Sequence, residues 1–155
     1  SDKASSGKRQ DESGEIIKKM IKELDSKIVY SNIIADEKED IKNEFKKIAN
    51  KRMADLILTT GGTGFAKRDI TPEATKEVIE KEVPGIPEKI RADTMAITPM
   101  AALSRAKSGI LKDTLIINLP GSPKAVRECL QSIMDILPHG IDILKGNVKE
   151  HNHKE

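Results

Sequence analysis

The chain has 155 residues, 37% apolar and 34% charged, with 27 cations against 25 anions and only Tyr30, Phe45 and Phe65 as aromatics. That length fits one domain with a sizeable aliphatic core. A net charge of +2 with no Trp lacks the basic footprint and stacking platforms of a nucleic-acid binder. No apolar run approaches the roughly eighteen residues of a membrane span, and no basic segment followed by an apolar one opens the chain, so no signal peptide is expected. A lone cysteine, Cys129, excludes an intrachain disulfide framework and suits a reducing, cytoplasmic compartment.

From Ser1 to Gly14 the chain is polar and without periodicity, a loop. Ile16, Ile17, Met20, Ile21 and Leu24 then recur at helical spacing, which predicts a helix over about residues 14–25 with Ser13 as its N-cap. The short β-branched run from Ile28 to Ile34 predicts a strand. Asp36 closes it and opens a second helix whose apolar face is Ile41, Phe45, Ile48, Ala49 and Met53. Its Lys/Glu face is solvated.

Leu56-Ile57-Leu58-Thr59-Thr60 predicts a buried strand running straight into Gly61-Gly62-Thr63-Gly64. Thr71-Pro72 opens a helix expected to reach Val83, ended by Pro84-Gly85. Residues 86–96 suit a short helix or an extended segment. Thr98-Pro99 starts another helix through Ser104-Arg105. Ser108–Leu111 and Thr114–Asn118 flank Lys112-Asp113, a hairpin or turn. Pro120-Gly121-Ser122-Pro123 opens a long amphipathic helix carrying Val126, Cys129, Leu130, Ile133, Met134 and Leu137, with Pro138 as a kink or interruption. Ile141, Ile143 and Leu144 form a last helix. A single domain over residues 1–146 is expected, with a polar tail at 147–155 whose His151 and His153 are read as a mobile end.

Strands alternating with helices indicate an α/β fold with a mainly parallel sheet, in which ligands sit at the C-terminal ends of strands. Three such ends are candidates: Asp36, Gly61–Gly64 and Pro120-Gly121-Ser122. The glycine loop either is a structural turn or brings backbone N–H groups against an anion or pterin-like ligand. It matches neither the Walker A spacing nor a dinucleotide fingerprint, because Lys67 stands where the third glycine belongs. Asp69 either stabilises a helix end or joins Asp36 in holding Mg²⁺ against a triphosphate, with Asp2 as a third carboxylate. Lys67, Arg68 and Arg105 are candidate phosphate cations. Cys129, on an apolar helical face, reads as core.

The run Thr59-Thr60-Gly61-Gly62-Thr63-Gly64-Phe65-Ala66-Lys67-Arg68-Asp69-Ile70-Thr71-Pro72-Glu73-Ala74-Thr75 is long and specific. It resembles the signature of the molybdenum-cofactor biosynthesis family that includes the bacterial Mog and MoaB proteins and the G domains of the plant molybdopterin-inserting protein and of gephyrin. Ile97-Thr98-Pro99 with Leu103-Ser104-Arg105, and Leu115-Ile116-Ile117-Asn118-Leu119-Pro120-Gly121-Ser122-Pro123, resemble further segments of that family. The wording of Leu137-Pro138-His139-Gly140-Ile141-Asp142 is similar to its gephyrin-like members.

The resemblance implies a three-layer α/β/α molybdopterin-binding fold, a homotrimer, and transfer of AMP from Mg-ATP to the terminal phosphate of molybdopterin with release of pyrophosphate. A molybdate-inserting domain or protein would act next. It assigns Asp36 and Asp69 to catalysis and metal. It assigns Gly61, Gly62, Thr63, Gly64, Thr94, Ser104, Pro120, Gly121, Ser122 and Asp2 to substrate or nucleotide. No nucleic acid or membrane is implied as a partner. Two departures are mild: Thr94 stands at a site serine of the plant protein, and Ser122 replaces an Asn often found there. A third is larger, since the family's sheet carries an apolar strand before Ser1-Asp2. A missing interior strand would leave unpaired backbone groups, so the natural protein is expected to extend upstream. An intact mass of 17.1 kDa would count against that. Two other functions stand beside the enzyme: a non-catalytic, trimer-forming scaffold module that binds molybdopterin, and a generic nucleotide-binding module.

Overall fold

In the computed structural model, residues 11–147 are described; Asp2, His151 and His153 lie outside them. The fold is organised around one strand, β4 (Thr114–Leu119), buried along its whole length. Its side chains alternate between two cores, as the two-residue period of a strand requires. Leu115, Ile117 and Leu119 enter one core and Ile116 enters the other. Burial on both faces explains why Leu115-Ile116-Ile117 reads as a continuous apolar run rather than an alternation.

The remaining strands are β1 (Leu56–Thr60), β2 (Lys81–Glu82) and β3 (Ser108–Leu111). They form one four-stranded sheet in the order β1-β4-β3-β2. β1 pairs with β4 in parallel, while β3 pairs antiparallel with both β4 and β2. The sheet is therefore mixed, where a mainly parallel one was expected. The local cause is the hairpin at Lys112-Asp113, which turns through Lys112 at φ 53° and reverses the chain.

Helices cover both faces. On one side pack α1 (Glu12–Ile21), α4 (Gly85–Met95), α5 (Pro123–Ile133) and α6 (Leu137–Leu144). On the other pack α2 (Lys38–Asn50) and α3 (Thr71–Val78). This is the three-layer α/β/α arrangement expected. α2 buries Ile41, Phe45, Ile48 and Ala49, all of them on the predicted face; Met53 lies past its end. Pro138 falls in the first turn of α6 and separates it from α5, a position where a missing N–H costs nothing.

Four local expectations are corrected. Asp11, not Ser13, caps α1, accepting from the Gly14 N–H at 2.9 Å. Ser13 instead donates its hydroxyl to the Gly121 carbonyl at 2.7 Å. α3 ends at Val78 rather than Val83, because Glu80 N–H donates to Ile110 O at 2.8 Å and Val83 N–H to Ser108 O at 2.9 Å; sheet edge bonds displace helical ones. The segment Thr98–Ser104 forms a 3₁₀ turn over Pro99–Leu103 rather than an α-helix. Residues 28–34 join no ladder among the described residues. Tyr30 instead anchors that segment to α2 through Glu44 and Lys47, and a cavity of about 650 Å³ lies between it and β1.

Candidate functional site

The parallel pair β1–β4 ends in register, with Thr60 opposite Leu119. Both chains leave the sheet there as glycine loops, so two loops far apart in sequence emerge side by side. Gly61 N–H donates to Leu119 O at 3.1 Å, and the Thr60 hydroxyl donates to Pro120 O at 2.7 Å. A Cβ on Gly121 would sit 3.4 Å from the Cα of Gly61, so the two loops touch backbone to backbone.

Gly61 and Gly62 take φ 96° and 70°, in the left-handed region that side chains resist. Gly62 has a second constraint. A Cβ there would lie 2.3 Å from Thr71 Oγ1, and its carbonyl accepts from the Thr71 N–H at 3.2 Å. The loop is thereby tied to the first residue of α3.

Arg105 braces the rest of the loop. Its backbone N–H donates to Thr63 O at 2.9 Å, its Nε to Gly64 O at 2.8 Å, and its Nη2 to Asp69 O at 2.7 Å. Its Nη1 pairs with Glu73. The planar fork of donors suits this bridging: Nε and Nη2 are committed to the loop and Nη1 to Glu73 on α3. Arg105, a candidate phosphate cation by sequence, is here a scaffold. Burial pushes the Glu73 carboxyl up, but its bonds to Arg105 and to its own backbone outweigh this and hold it below the usual carboxylate range.

Asp69 closes a turn on itself. Its Oδ2 accepts from Ala66 N–H at 2.9 Å, and its N–H donates to Ala66 O at 2.9 Å. A Cβ on Gly64 would come within 2.9 Å of the same carboxylate oxygen, so the carboxylate packs against the loop that carries it. Asp36 lines the 650 Å³ cavity beside β1 with Thr60 and Thr71, and Asp69 does not. Ser122 caps α5, accepting from Ala125 N–H at 3.3 Å.

Ser104 lies next to Arg105 and lines a second cavity of about 410 Å³ with Arg91 and Lys107. Thr94 is buried, and its hydroxyl donates back to Ile90 O at 2.6 Å. The structure thus gathers Gly61, Gly62, Thr63, Gly64, Asp69, Pro120, Gly121 and Ser122 around one edge. Ser104 is joined to them through Arg105. Asp36 stands on the β1 cavity, and Thr94 turns into its own helix.

Beneath the loops lies a residue that the sequence reading gave no role. Asn118 is buried, and its amide donates to Thr59 Oγ1 at 3.2 Å and Thr75 Oγ1 at 2.9 Å. Its Oδ1 accepts from Lys107 N–H at 3.1 Å. One amide so joins β1, β4, α3 and the strand entry at Lys107. The signal available was an Asn inside the apolar run Leu115–Leu119, since a buried polar group must find partners.

No three His, Cys, Asp or Glu side chains gather as a metal cage among the described residues. Asp36 and Asp69 offer carboxylates, the donors that Mg²⁺ takes one or two at a time beside substrate phosphates and its own waters.

The family model described as a probable molybdopterin binding domain matches residues 1–139. A molybdopterin adenylyltransferase of Helicobacter pylori is 43% identical over 156 residues, covering 99% of this chain and 89% of the relative. Its Escherichia coli K12 counterpart is 38% identical, covering 91% and 75%. The Drosophila melanogaster molybdenum cofactor synthesis protein cinnamon is 46% identical over 90% of this chain, which spans only 23% of that protein. Among solved structures, the molybdopterin biosynthesis enzyme MoaB of Thermus thermophilus superposes with a TM-score of 0.89 at 43% identity, covering 94% of this chain and 92% of that one.

Proposed function

The chain belongs to the molybdopterin-binding family of molybdenum cofactor biosynthesis, and on that premise we propose that it is a molybdopterin adenylyltransferase. The observation that carries the reading is the backbone contact of the two glycine loops at the ends of β1 and β4. This is the strand-end position where open α/β sheets take ligands, and glycines leave backbone N–H groups open to phosphate.

In the proposed reaction an oxygen of the terminal molybdopterin phosphate attacks the α-phosphorus of ATP. The bond from that phosphorus to the bridging oxygen breaks, and pyrophosphate leaves with the electron pair. The product is a phosphoanhydride between AMP and molybdopterin. Such chemistry depends on positioning and charge stabilisation rather than on a covalent enzyme intermediate. Gly61–Gly64 and Pro120–Ser122 would hold the phosphates, and Lys67, exposed beside the loop, would offset charge on the leaving group. Asp36 and Asp69 are the residues that would hold Mg²⁺, which supplies charge neutralisation on the nucleotide phosphates. Ser104 would lie toward the substrate, while the Thr94 hydroxyl stays on Ile90 O and would act only through its helix.

We also assign the chain to the cytoplasm and to a homotrimer. No helix among the described residues is long and apolar enough to cross a membrane. The uncharged stretch Met95–Leu103 exposes Met95, Ile97, Met100 and Leu103, an apolar surface suited to self-association. Light scattering should give three times the chain mass. A monomer at micromolar concentration would defeat the trimer assignment.

The decisive assay is pyrophosphate release from Mg-ATP with and without molybdopterin. Release that requires molybdopterin supports the transferase. Asp69→Asn keeps an acceptor for the Ala66 N–H while removing the charge, so it separates chemistry from loop structure better than Asp69→Ala. Both variants should lose most formation of adenylylated molybdopterin, and full turnover in Asp69→Asn would remove Asp69 from the reaction. Molybdopterin binding without turnover would favour the second reading, a scaffold module of a larger gephyrin-like protein. The small share of cinnamon that this chain spans fits such a context.

A further inference from the structure

Phe65 is 71% exposed, although it is one of only three aromatic residues in the chain. It directly follows Gly64 on the candidate phosphate loop. Of the other two, Phe45 is in the core and Tyr30 is bonded to Glu44 and Lys47. Leaving a Phe ring in water forfeits the burial that normally stabilises it.

The backbone around this ring is fixed on both sides. Before it, Thr63 O and Gly64 O accept from Arg105 at 2.9 and 2.8 Å. After it, Ala66 N–H and O are both bonded to Asp69 at 2.9 Å. A ring that is 71% exposed on a braced loop is preorganised to meet something else. The loop it stands on is the one read as holding phosphate, and both substrates of the proposed reaction carry a flat nitrogen heterocycle joined to phosphate.

We propose that the Phe65 ring is the stacking wall for the flat heterocycle of a substrate whose phosphate lies on Gly61–Gly64. The inference rests on the adenylyltransferase reading. Every planar heterocycle presents a π-face, so the ring contributes affinity and places the phosphate without reading hydrogen-bonding edges. Phe65 is a substrate-positioning residue, and adenine and pterin are the two sources of the ring it would meet.

The chain has no Trp, so Phe65→Trp installs a single reporter at the loop. Its emission is followed while Mg-ATP and molybdopterin are added in separate titrations, with Ile143→Trp on α6 as an exposed control. We expect the Phe65→Trp emission to be quenched by one of the two and the control to stay unchanged. Quenching by Mg-ATP identifies adenine, and quenching by molybdopterin identifies the pterin. In turnover, Phe65→Ala should raise KM for that same substrate about five- to a hundredfold with a smaller change in kcat, and Phe65→Trp should restore it.

Unchanged emission in both titrations together with an unchanged KM in Phe65→Ala would overturn the stacking role. So would a loss confined to kcat, which would make the ring part of the loop's structure. Quenching without any pyrophosphate release by the wild-type chain would instead sink the transferase reading and leave the ring's role standing.

Discussion

At the scale of single residues, the glycines are constrained for different reasons, and only some were open to anticipation. A Gly-rich stretch after a strand announces a turn, but not which glycine is indispensable. Gly62 is, because it combines φ 70° with a 2.3 Å approach to Thr71 Oγ1. Gly62→Ala should cost about 1–3 kcal/mol from backbone conformation alone, before the clash with Thr71. A urea midpoint unchanged from wild type would show that the loop can rearrange. Asp69 shows the opposite relation. Its acidity suggests a metal ligand or a helix-end charge, and the structure adds a contact of its own, Oδ2 accepting from the Ala66 N–H. A short-range contact of that kind depends on a turn geometry that the letters Ala-Lys-Arg-Asp do not specify.

At the scale of elements, α2 and α3 are clamped by charge as well as by packing. Glu77 on α3 pairs with Lys38 and Lys42 on α2, each at 2.8 Å. Those two bonds lower its carboxyl from 4.5 to about 2. Its folded value is depressed, so its contribution is present above the ordinary value and is lost as pH falls from about 5 to about 2. The acid limb of wild-type stability should therefore be steeper in that window than the limb of Glu77→Gln, and salt should narrow the difference. Thermal melts from pH 7 to pH 2.5 measure this; parallel curves would show the clamp to be idle.

Helix periodicity was legible wherever one face is buried, as at Ile41, Phe45 and Ile48. The end of α3 was not. Glu80-Lys81-Glu82 has ordinary helical propensity, and only the free edge of β3 draws it into a strand. Gly109 makes that approach possible, since a Cβ there would fall 2.7 Å from Lys81 O.

At the scale of the whole molecule, one strand divides the protein into two cores, and Cys129 belongs to the larger. Burial, with Glu128 nearby, pushes its thiol up to about 11, so the reactive thiolate is scarce at neutral pH. Modification by a thiol reagent at pH 7.5 should be slow and should follow unfolding of the domain. Fast stoichiometric labelling of the native protein would contradict this placement. The helical faces, the hairpin at Lys112-Asp113, the glycine loops and the family are legible in the sequence, because these are properties of neighbouring residues and local period. What distant segments do to one another is settled only when the chain packs. The tertiary structure joins β2 and β3 to the parallel pair β1–β4 as a mixed sheet, leaves residues 28–34 outside any ladder among the described residues despite their β-branched composition, and commits Arg105 to bracing the loop. It also places Asn118 under the loops. The physical reason is common to all four: hydrogen bonds and close packing between residues far apart in the chain have no counterpart in local propensity, and a strand exists only where another strand meets it.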